Sequence, residues 1–244
     1  MILILTMAGR YTRFIAEGYI FPKYLLPWAD KTILSKILYE MKKGDAFSDI
    51  ILVANNRDEI YMPHVRTIMK SYDIDTHNLL LVSDTEGQAE TALIGIESIQ
   101  KKKSELKQPI VIHNIDTILY KRNYEDVKQS LHINDGYIDV FQSSRHDYSY
   151  VLVDEENRVI AIEEKMVISN LATSGLYGFS SAEKFEEFYV EHEDIYISSI
   201  YKKMIVAGER VIVGEKYSNH HTIVLGTPEE YINASVMIDT MPFA

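Results

Sequence analysis

The sequence predicts an α/β fold: a mostly parallel sheet flanked by helices, followed by a β-rich second half. Three observations point there. Buried-strand runs alternate with amphipathic helical runs from the N-terminus to about residue 113. Beyond that point the strands become short and succeed one another across polar turns. The chain has 244 residues, 46% of them hydrophobic, which suits one large domain with an ample core and no need of staples.

The elements follow in order. Ile2–Leu5 is an apolar run ending at a polar turn, and reads as a buried first strand. It is too short to cross a membrane and lacks the positive start and cleavage site of a signal peptide. After a long loop, Thr32–Lys43 places Ile33, Leu34, Ile37, Leu38 and Met41 at helical spacing, with Thr32 as the N-cap. Asp49–Ala54 is a second buried strand, Asp58–Tyr72 a helix, Leu79–Val82 a short strand, Gln88–Lys102 a helix and Pro109–His113 a fourth strand. In the second half Tyr137–Gln142, Ser149–Val153, Val159–Glu163 and Ser174–Phe179 are strands. Ala182–Val190 and Ile195–Val206 are helical, Arg210–Val213 is a strand, and Pro228–Met237 closes as a helix with Pro in its first turn. The run Lys101–Lys103 reads as a solvated helix end.

Composition narrows the function. With no cysteine, disulfides, thiolate metal sites and cysteine nucleophiles are excluded, so any metal binds through oxygen or histidine. A net charge of −11 argues against a nucleic-acid backbone binder. No segment approaches 18 apolar residues, so a cytoplasmic protein without a membrane partner is expected. His220 and His221 are adjacent, which on a strand turns them to opposite faces and makes a poor zinc site.

The loop after the first strand reads Met7-Ala8-Gly9-Arg10-Tyr11-Thr12-Arg13-Phe14, and continues through Gly18 to Pro22-Lys23-Tyr24-Leu25-Leu26-Pro27. In an open α/β sheet, ligands sit at the carboxyl ends of the strands, where this loop lies. Gly9 lets the backbone approach a phosphate, Thr12 and Arg13 can donate to it, and Arg13 is suited to forked binding of a polyphosphate. Pro22 restrains the chain before Lys23, setting a compact positive charge at a defined place. The loop matches neither G-x-G-x-x-G nor the P-loop pattern.

Taken whole, the segment resembles the nucleotidyltransferase (nucleotide-sugar pyrophosphorylase) family, whose hallmark runs approximately G-G-x-G-T-R-F/L and then P-K-x-L-L-P. Here the match is A-G-R-Y-T-R-F and P-K-Y-L-L-P, with Ala8 and Tyr11 where glycine is usual. Tyr11 is expected to crowd the phosphate loop or reshape its turn. Thr85-Glu86-Gly87-Gln88-Ala89-Glu90-Thr91-Ala92 is similar to the segment that meets the nucleobase, with Gly87 for close approach and Gln88 for hydrogen bonding. Asn114-Ile115-Asp116 follows the fourth strand where the family keeps a metal-binding aspartate; alternate residues of an extended segment point the same way, and a hard carboxylate suits magnesium. Glu163-Glu164-Lys165 resembles the element that contacts the acceptor, and Ala172–Phe179 the strand lining the acceptor pocket through Ser174 and Gly175. Val224-Leu225-Gly226-Thr227-Pro228-Glu229 resembles the terminal D-x-G-T-P-E motif, with Val224 in place of a second metal-binding aspartate.

The resemblance implies a Rossmann-like, GT-A-like nucleotidyltransferase fold over residues 1–244, with a nucleotide-binding half to about residue 112 and a metal- and acceptor-binding half from 113 on. It implies in-line attack of an acceptor phosphate on the α-phosphorus of an NTP, with Lys23 at the α-phosphate, Arg13 at the leaving phosphates, Mg2+ on Asp116 and Lys165 on the acceptor. Met7 to Thr12, with Gly87 and Gln88, form the nucleotide site. The chain's end at Ala244, soon after G-T-P-E, resembles the cytidylyltransferase branch acting on small phosphorylated sugars or polyols, which favours CTP and a role in capsule or cell-surface polysaccharide precursor supply. A homo-oligomer is left open. Two alternatives stand beside this reading: a GT-A glycosyltransferase, with N-I-D imitating a D-x-D metal motif, and a non-catalytic nucleotide-sensing module, suggested by Tyr11 and Val224.

Overall fold

The first strand shows how the sheet is built. In the computed structural model, which describes residues 1–100 and 107–238, β1 spans Ile2–Met7. Leu3, Leu5 and Met7 face one hydrophobic core, whereas Ile2 and Ile4 face a second core on the other side of the sheet. A strand covered on both faces needs a continuous apolar run rather than an alternating one, and that is what the N-terminus supplies.

The loop expected after β1 contains a short helix, α1 (Thr12–Ala16), and a two-stranded ribbon of β2 (Pro27–Trp28) and β3 (Lys31–Thr32). Helix α2 (Ile33–Met41) starts where expected: the Thr32 hydroxyl accepts from the Ser35 amide at 3.2 Å. Strand β4 (Asp49–Asn55) lies parallel to β1. The helix expected from Asp58 begins only at Met62, as α3 (Met62–Ser71). Residues Asn56–Tyr61 wind as a 3₁₀ turn, capped by the Asn55 side chain on the Arg57 amide. Pro63 has no amide hydrogen and so belongs in a first α-helical turn, which explains the later start.

Strand β5 (Leu79–Val82) pairs parallel with β4, and α4 (Gln88–Gln100) returns across the sheet. At Gly95 a Cβ would stand 2.7 Å from Ile4 Cγ2, so this glycine is what lets α4 settle directly onto the strands. The helix expected to reach Lys102, and the Lys101–Lys103 run, extend outside the described residues. Strand β6 (Ile110–Asn114) completes a parallel set on the other flank of β1.

The remaining elements are β7 (Thr117–Leu119), α5 (Tyr124–Leu131), β8 (Gly136–Gln142), β9 (Ser149–Val153), β10 (Val159–Glu164), β11 (Leu171–Phe179), α6 (Ala182–Phe188), α7 (Ile197–Val206), β12 (Val211–Tyr217), β13 (Thr222–Val224) and α8 (Pro228–Val236). Strand β11 runs antiparallel to both β6 and β8, and β12 lies parallel to β8 beyond it. One nine-stranded sheet therefore passes through both halves of the sequence, in the order β10-β9-β11-β6-β1-β4-β5, with β8 and β12 branching from β11. The branch arises because β6 and β9 share one edge of β11, at its end and its beginning, while β8 takes the other edge on both sides of a register shift between Thr173 and Tyr177.

A small separate sheet of β7 and β13 is locked to this frame by Arg122. The Arg122 guanidinium donates to Asp139 at 2.8 Å, to the His221 carbonyl at 2.7 Å and to the Thr222 hydroxyl at 2.7 Å, with the Tyr217 ring 3.7 Å away. Both charges are almost wholly buried, so each depends on the other for solvation. No helix among the described residues is long and apolar enough to cross a membrane.

Candidate active site

Every loop leaving the carboxyl end of β1, β5 and β6 opens into one cavity of about 850 Å³. That is the crevice where ligands of open α/β sheets sit, and it lies near the upper end of the usual range for ligand sites. From the phosphate loop it is lined by Ala8, Gly9, Arg10 and Arg13, and from the next turn by Lys23. The N-terminus of α4 contributes Gly87 and Gln88, the β6–β7 turn contributes Asp116, and the second half contributes Glu164, Lys165, Ser174 and Gly175.

Three of the residues expected at the nucleotide do not line it with their side chains. Met7 is the last inward residue of β1 and is 1% exposed in the core, so only its backbone reaches the loop. Thr12 begins α1 and its side chain lies outside the cavity wall. Tyr11 turns away from the cavity, its hydroxyl donating to Asp58 at 2.6 Å. Its backbone adopts φ 32° and ψ 37°, the left-handed region that costs a non-glycine residue roughly 1–2 kcal/mol. The tyrosine therefore keeps the turn that glycine would make, and its ring does not crowd the cavity.

At the centre, Lys23 Nζ lies 2.6 Å from Asp116 Oδ2, both side chains mostly shielded from water. Burial disfavours ionisation of Asp116, but the Lys23 ammonium and its hydrogen bond outweigh that and hold the carboxyl below its ordinary value. The turn carrying Asp116 is itself fixed. The Asp116 carbonyl accepts from the Leu225 amide at 2.7 Å. Beneath it, burial pushes His113 down to about 4, so its ring is neutral at neutral pH. With Nε2 2.8 Å from the Thr117 carbonyl, that nitrogen must carry the proton and donate. A single histidine in a buried strand has no pattern to read, so this role of His113 was not visible in the sequence.

Asn114 joins the two halves of the site. Its Oδ1 accepts from Gln88 Nε2, and its side chain packs where a Cβ on Gly175 would come within 2.7 Å. Gly175 also has φ 88°, so both the kink in β11 and the close approach require glycine.

The far end is built around Glu164. Its Oε2 accepts from the hydroxyls of Ser149 and Ser198, which fixes the direction of the carboxylate. Lys165 sits in a left-handed turn, φ 55°, with its ammonium 5.3 Å from the Tyr196 ring centroid. Val224 lines the cavity beside Asp116, paired with Thr117 across the β13–β7 ladder. Glu230 also faces it, through Oε2 held by the Thr227 amide at 3.0 Å and Oε1 by the Tyr148 hydroxyl at 3.0 Å. The sequence signal for Glu230 was available: it is the N3 glutamate of a capping box on Thr227.

Comparison with known proteins agrees with this geometry. Residues 3–234 match the profile of the Nucleotidyl transferase family. Among solved structures, a nucleoside-diphosphate-sugar pyrophosphorylase from Vibrio cholerae RC9 is 27% identical with a TM-score of 0.82, over 95% of this chain and 98% of that one. The inositol-1-phosphate CTP transferase from T. maritima shares the fold at 14% identity and a TM-score of 0.74, over 100% of this chain and 96% of that one. A UDP-glucose pyrophosphorylase complexed with UDP-glucose shares it at 18% identity and a TM-score of 0.72, over 98% of each chain. No curated protein sequence matches the chain. A family match running from β1 into α8, on a fold whose strand-end loops converge on one polar cavity, means that the chain belongs to the Nucleotidyl transferase family and is a nucleotidyltransferase.

Proposed function

We propose that this enzyme transfers a nucleotidyl group, CMP by preference, from an NTP to a small phosphorylated sugar or polyol and releases pyrophosphate. The observation that carries the reading is the Lys23–Asp116 pair at 2.6 Å, set in a cavity that continues from the phosphate loop to Glu164 and Lys165. In-line displacement at phosphorus needs positive charge at the reacting group, which Lys23 can supply, and a carboxylate that can hold a metal, which Asp116 can supply. A cytidine nucleotide and a polyol acceptor are compatible with the fold, which an inositol-1-phosphate CTP transferase and a UDP-glucose pyrophosphorylase share. The setting we propose is precursor supply for capsule or other cell-surface polysaccharides in the cytoplasm.

A phosphate monoester is largely dianionic at neutral pH, its second pKa being about 6, so the acceptor needs no general base. The protein must supply alignment and positive charge. In our reading Lys23 meets the α-phosphate, Arg13 the leaving β- and γ-phosphates, and Lys165 the acceptor phosphate. Glu164, its direction set by two serines, takes a hydroxyl of the acceptor. The backbone of Ala8 and Gly9 approaches the nucleotide, with Gly87 and Gln88 at the base.

The residues present fit a magnesium ion. Asp116 offers a hard oxygen ligand. Gly226 keeps the neighbouring space open, since a Cβ there would lie 3.5 Å from Asp116 Oδ2 and 3.4 Å from Glu230 Oε2. Among the described residues no group of three His, Asp or Glu gathers to hold a metal unaided, so Asp116 would share the ion with water and the triphosphate. When bound, magnesium neutralises charge on the phosphate oxygens.

The test is a pyrophosphate-release screen of four NTPs against phosphorylated sugars, inositol phosphates and phosphorylated linear polyols. Release is expected only with both substrates present, and fastest with CTP. Any other nucleotide preferred over CTP would remove the base assignment. Release with unphosphorylated alcohols would remove the acceptor assignment.

A further inference from the structure

The 3₁₀ turn between β4 and α3 holds the stretch from Ala8 to Tyr24 at four points. Arg57 donates from Nη2 to the Ala8 carbonyl at 2.6 Å and from Nη1 to Asp84 at 2.9 Å. Its neighbour Asp58 is fully buried, and each of its carboxylate oxygens accepts from one phenol: Oδ1 from Tyr11 at 2.6 Å and Oδ2 from Tyr24 at 2.9 Å. At the end of the turn, the Tyr61 hydroxyl donates to the Ile20 carbonyl at 3.0 Å.

Tyr11 stands two residues before Arg13, and Tyr24 directly follows Lys23. One carboxylate thus ties together the two stretches of chain that carry Arg13 and Lys23 into the cavity. Burial, and then the Asp58 carboxylate, push both phenols well above their ordinary pKa, so both remain donors at neutral pH. The left-handed backbone of Tyr11 is strained for any residue but glycine. It persists because its hydroxyl is fastened to a buried charged acceptor, a stronger bond than one between neutral groups.

We propose that Asp58 is a positioning residue, which with Tyr11 and Tyr24 sets the phosphate loop in its nucleotide-binding shape before nucleotide arrives. Arg57 does the same for the loop's beginning by fixing the Ala8 carbonyl, and with it the direction of the amides that follow. A loop with glycine at position 11 would lack this anchor to Asp58. This one is ordered by the protein, so less conformational freedom is lost on binding. The inference rests on the transferase reading for what the loop binds, but the preformed loop itself can be measured without turnover.

The experiment has two arms, on the full chain. In the first, amide hydrogen exchange is followed over residues 9–24 of the nucleotide-free protein. Tyr11→Phe, which removes one hydroxyl and no packing, is expected to accelerate exchange in this segment by about tenfold, the scale of one lost charge-assisted hydrogen bond. Exchange in β1 and α2 should stay as in the parent. In the second arm, steady-state kinetics should show KM for the NTP raised by about tenfold in Tyr11→Phe, with KM for the acceptor within about twofold. Asp58→Asn should give the same split, and Tyr11→Phe added to it should cost less than it does in the parent, because Asp58 acts partly through Tyr11 and partly through Tyr24. A merely structural role would move both KM values together with the melting temperature.

Unchanged exchange over residues 9–24 in folded Tyr11→Phe overturns the proposal. So does an equal rise in both KM values, or full additivity of the two substitutions. If the parent protein turns over no NTP with any acceptor, the transferase reading fails. The exchange arm then still decides whether Asp58 fastens the loop.

Discussion

Replacing Lys23 with alanine lowers kcat by about 100-fold or more, the cost typical of removing one preorganised electrostatic donor from a transition state. The ammonium now neutralises Asp116 at 2.6 Å. In the reaction we propose, its charge serves the α-phosphate, where negative charge is redistributed as the new bond forms. The folded protein should survive the change. Asp116 keeps 22% of its side chain exposed and can take water in place of the amine, at a cost on the order of 1 kcal/mol. Single-turnover kinetics and thermal melting of the same preparation separate the two effects. Near-normal turnover in folded Lys23→Ala would remove the lysine from the chemistry. Lys23→Arg should recover only part of the rate, since a forked guanidinium does not replace a compact ammonium.

Lys23 and Asp116 also show how far the sequence could be read. They stand 93 residues apart and meet in a salt bridge, which no spacing rule reveals; motifs at the carboxyl ends of β1 and β6 indicate only that both face the same edge of the sheet. The early elements were legible because strands buried on both faces, such as Ile2–Leu5 and Asp49–Ala54, carry continuous apolar runs. Three things were not legible. Helix α5 escaped notice although Tyr124, Val127 and Leu131 are buried at helical spacing, because eight residues give a weak periodic signal. The pairing of β7 with β13 joins two three-residue strands too short for any pattern. Asp58–Tyr61 was expected to open a helix, when it belongs to a 3₁₀ turn, Asn56–Tyr61, that grips the loop carrying Arg13. At Tyr11 the sequence suggested an obstruction. The structure turns the ring onto Asp58 instead, a partner 47 residues away.

Magnesium should bind the nucleotide-free enzyme weakly, and Val224→Asp should strengthen that binding by about tenfold or more. Asp116 is the only carboxylate we assign to the ion, and its Oδ2 is already engaged by Lys23. Magnesium retains water readily and prefers six oxygens, so one protein ligand suffices when the triphosphate brings the others. Val224 stands beside Thr117 on the facing strand and lines the same cavity, so a carboxylate there would approach Asp116 from across the ladder. Calorimetry should detect little magnesium uptake by the parent protein alone and clear uptake with a non-hydrolysable NTP analogue. Tight binding without nucleotide would mean that a second ligand exists in the parent chain, with Glu230 the first to examine because it faces the same open space over Gly226. An unchanged titration in Val224→Asp would show that position 224 does not face the ion.

Attack by the acceptor's own phosphate on the α-phosphorus of the NTP, which we propose Lys23 and Arg13 align, is tested most directly by running the reaction with an acceptor whose phosphate oxygens are labelled with ¹⁸O and locating the label by ³¹P NMR. Such an attack puts ¹⁸O in the new bridge between the two phosphorus atoms of the product and leaves the released pyrophosphate without label. Label in the pyrophosphate, or an unlabelled bridge, would contradict it.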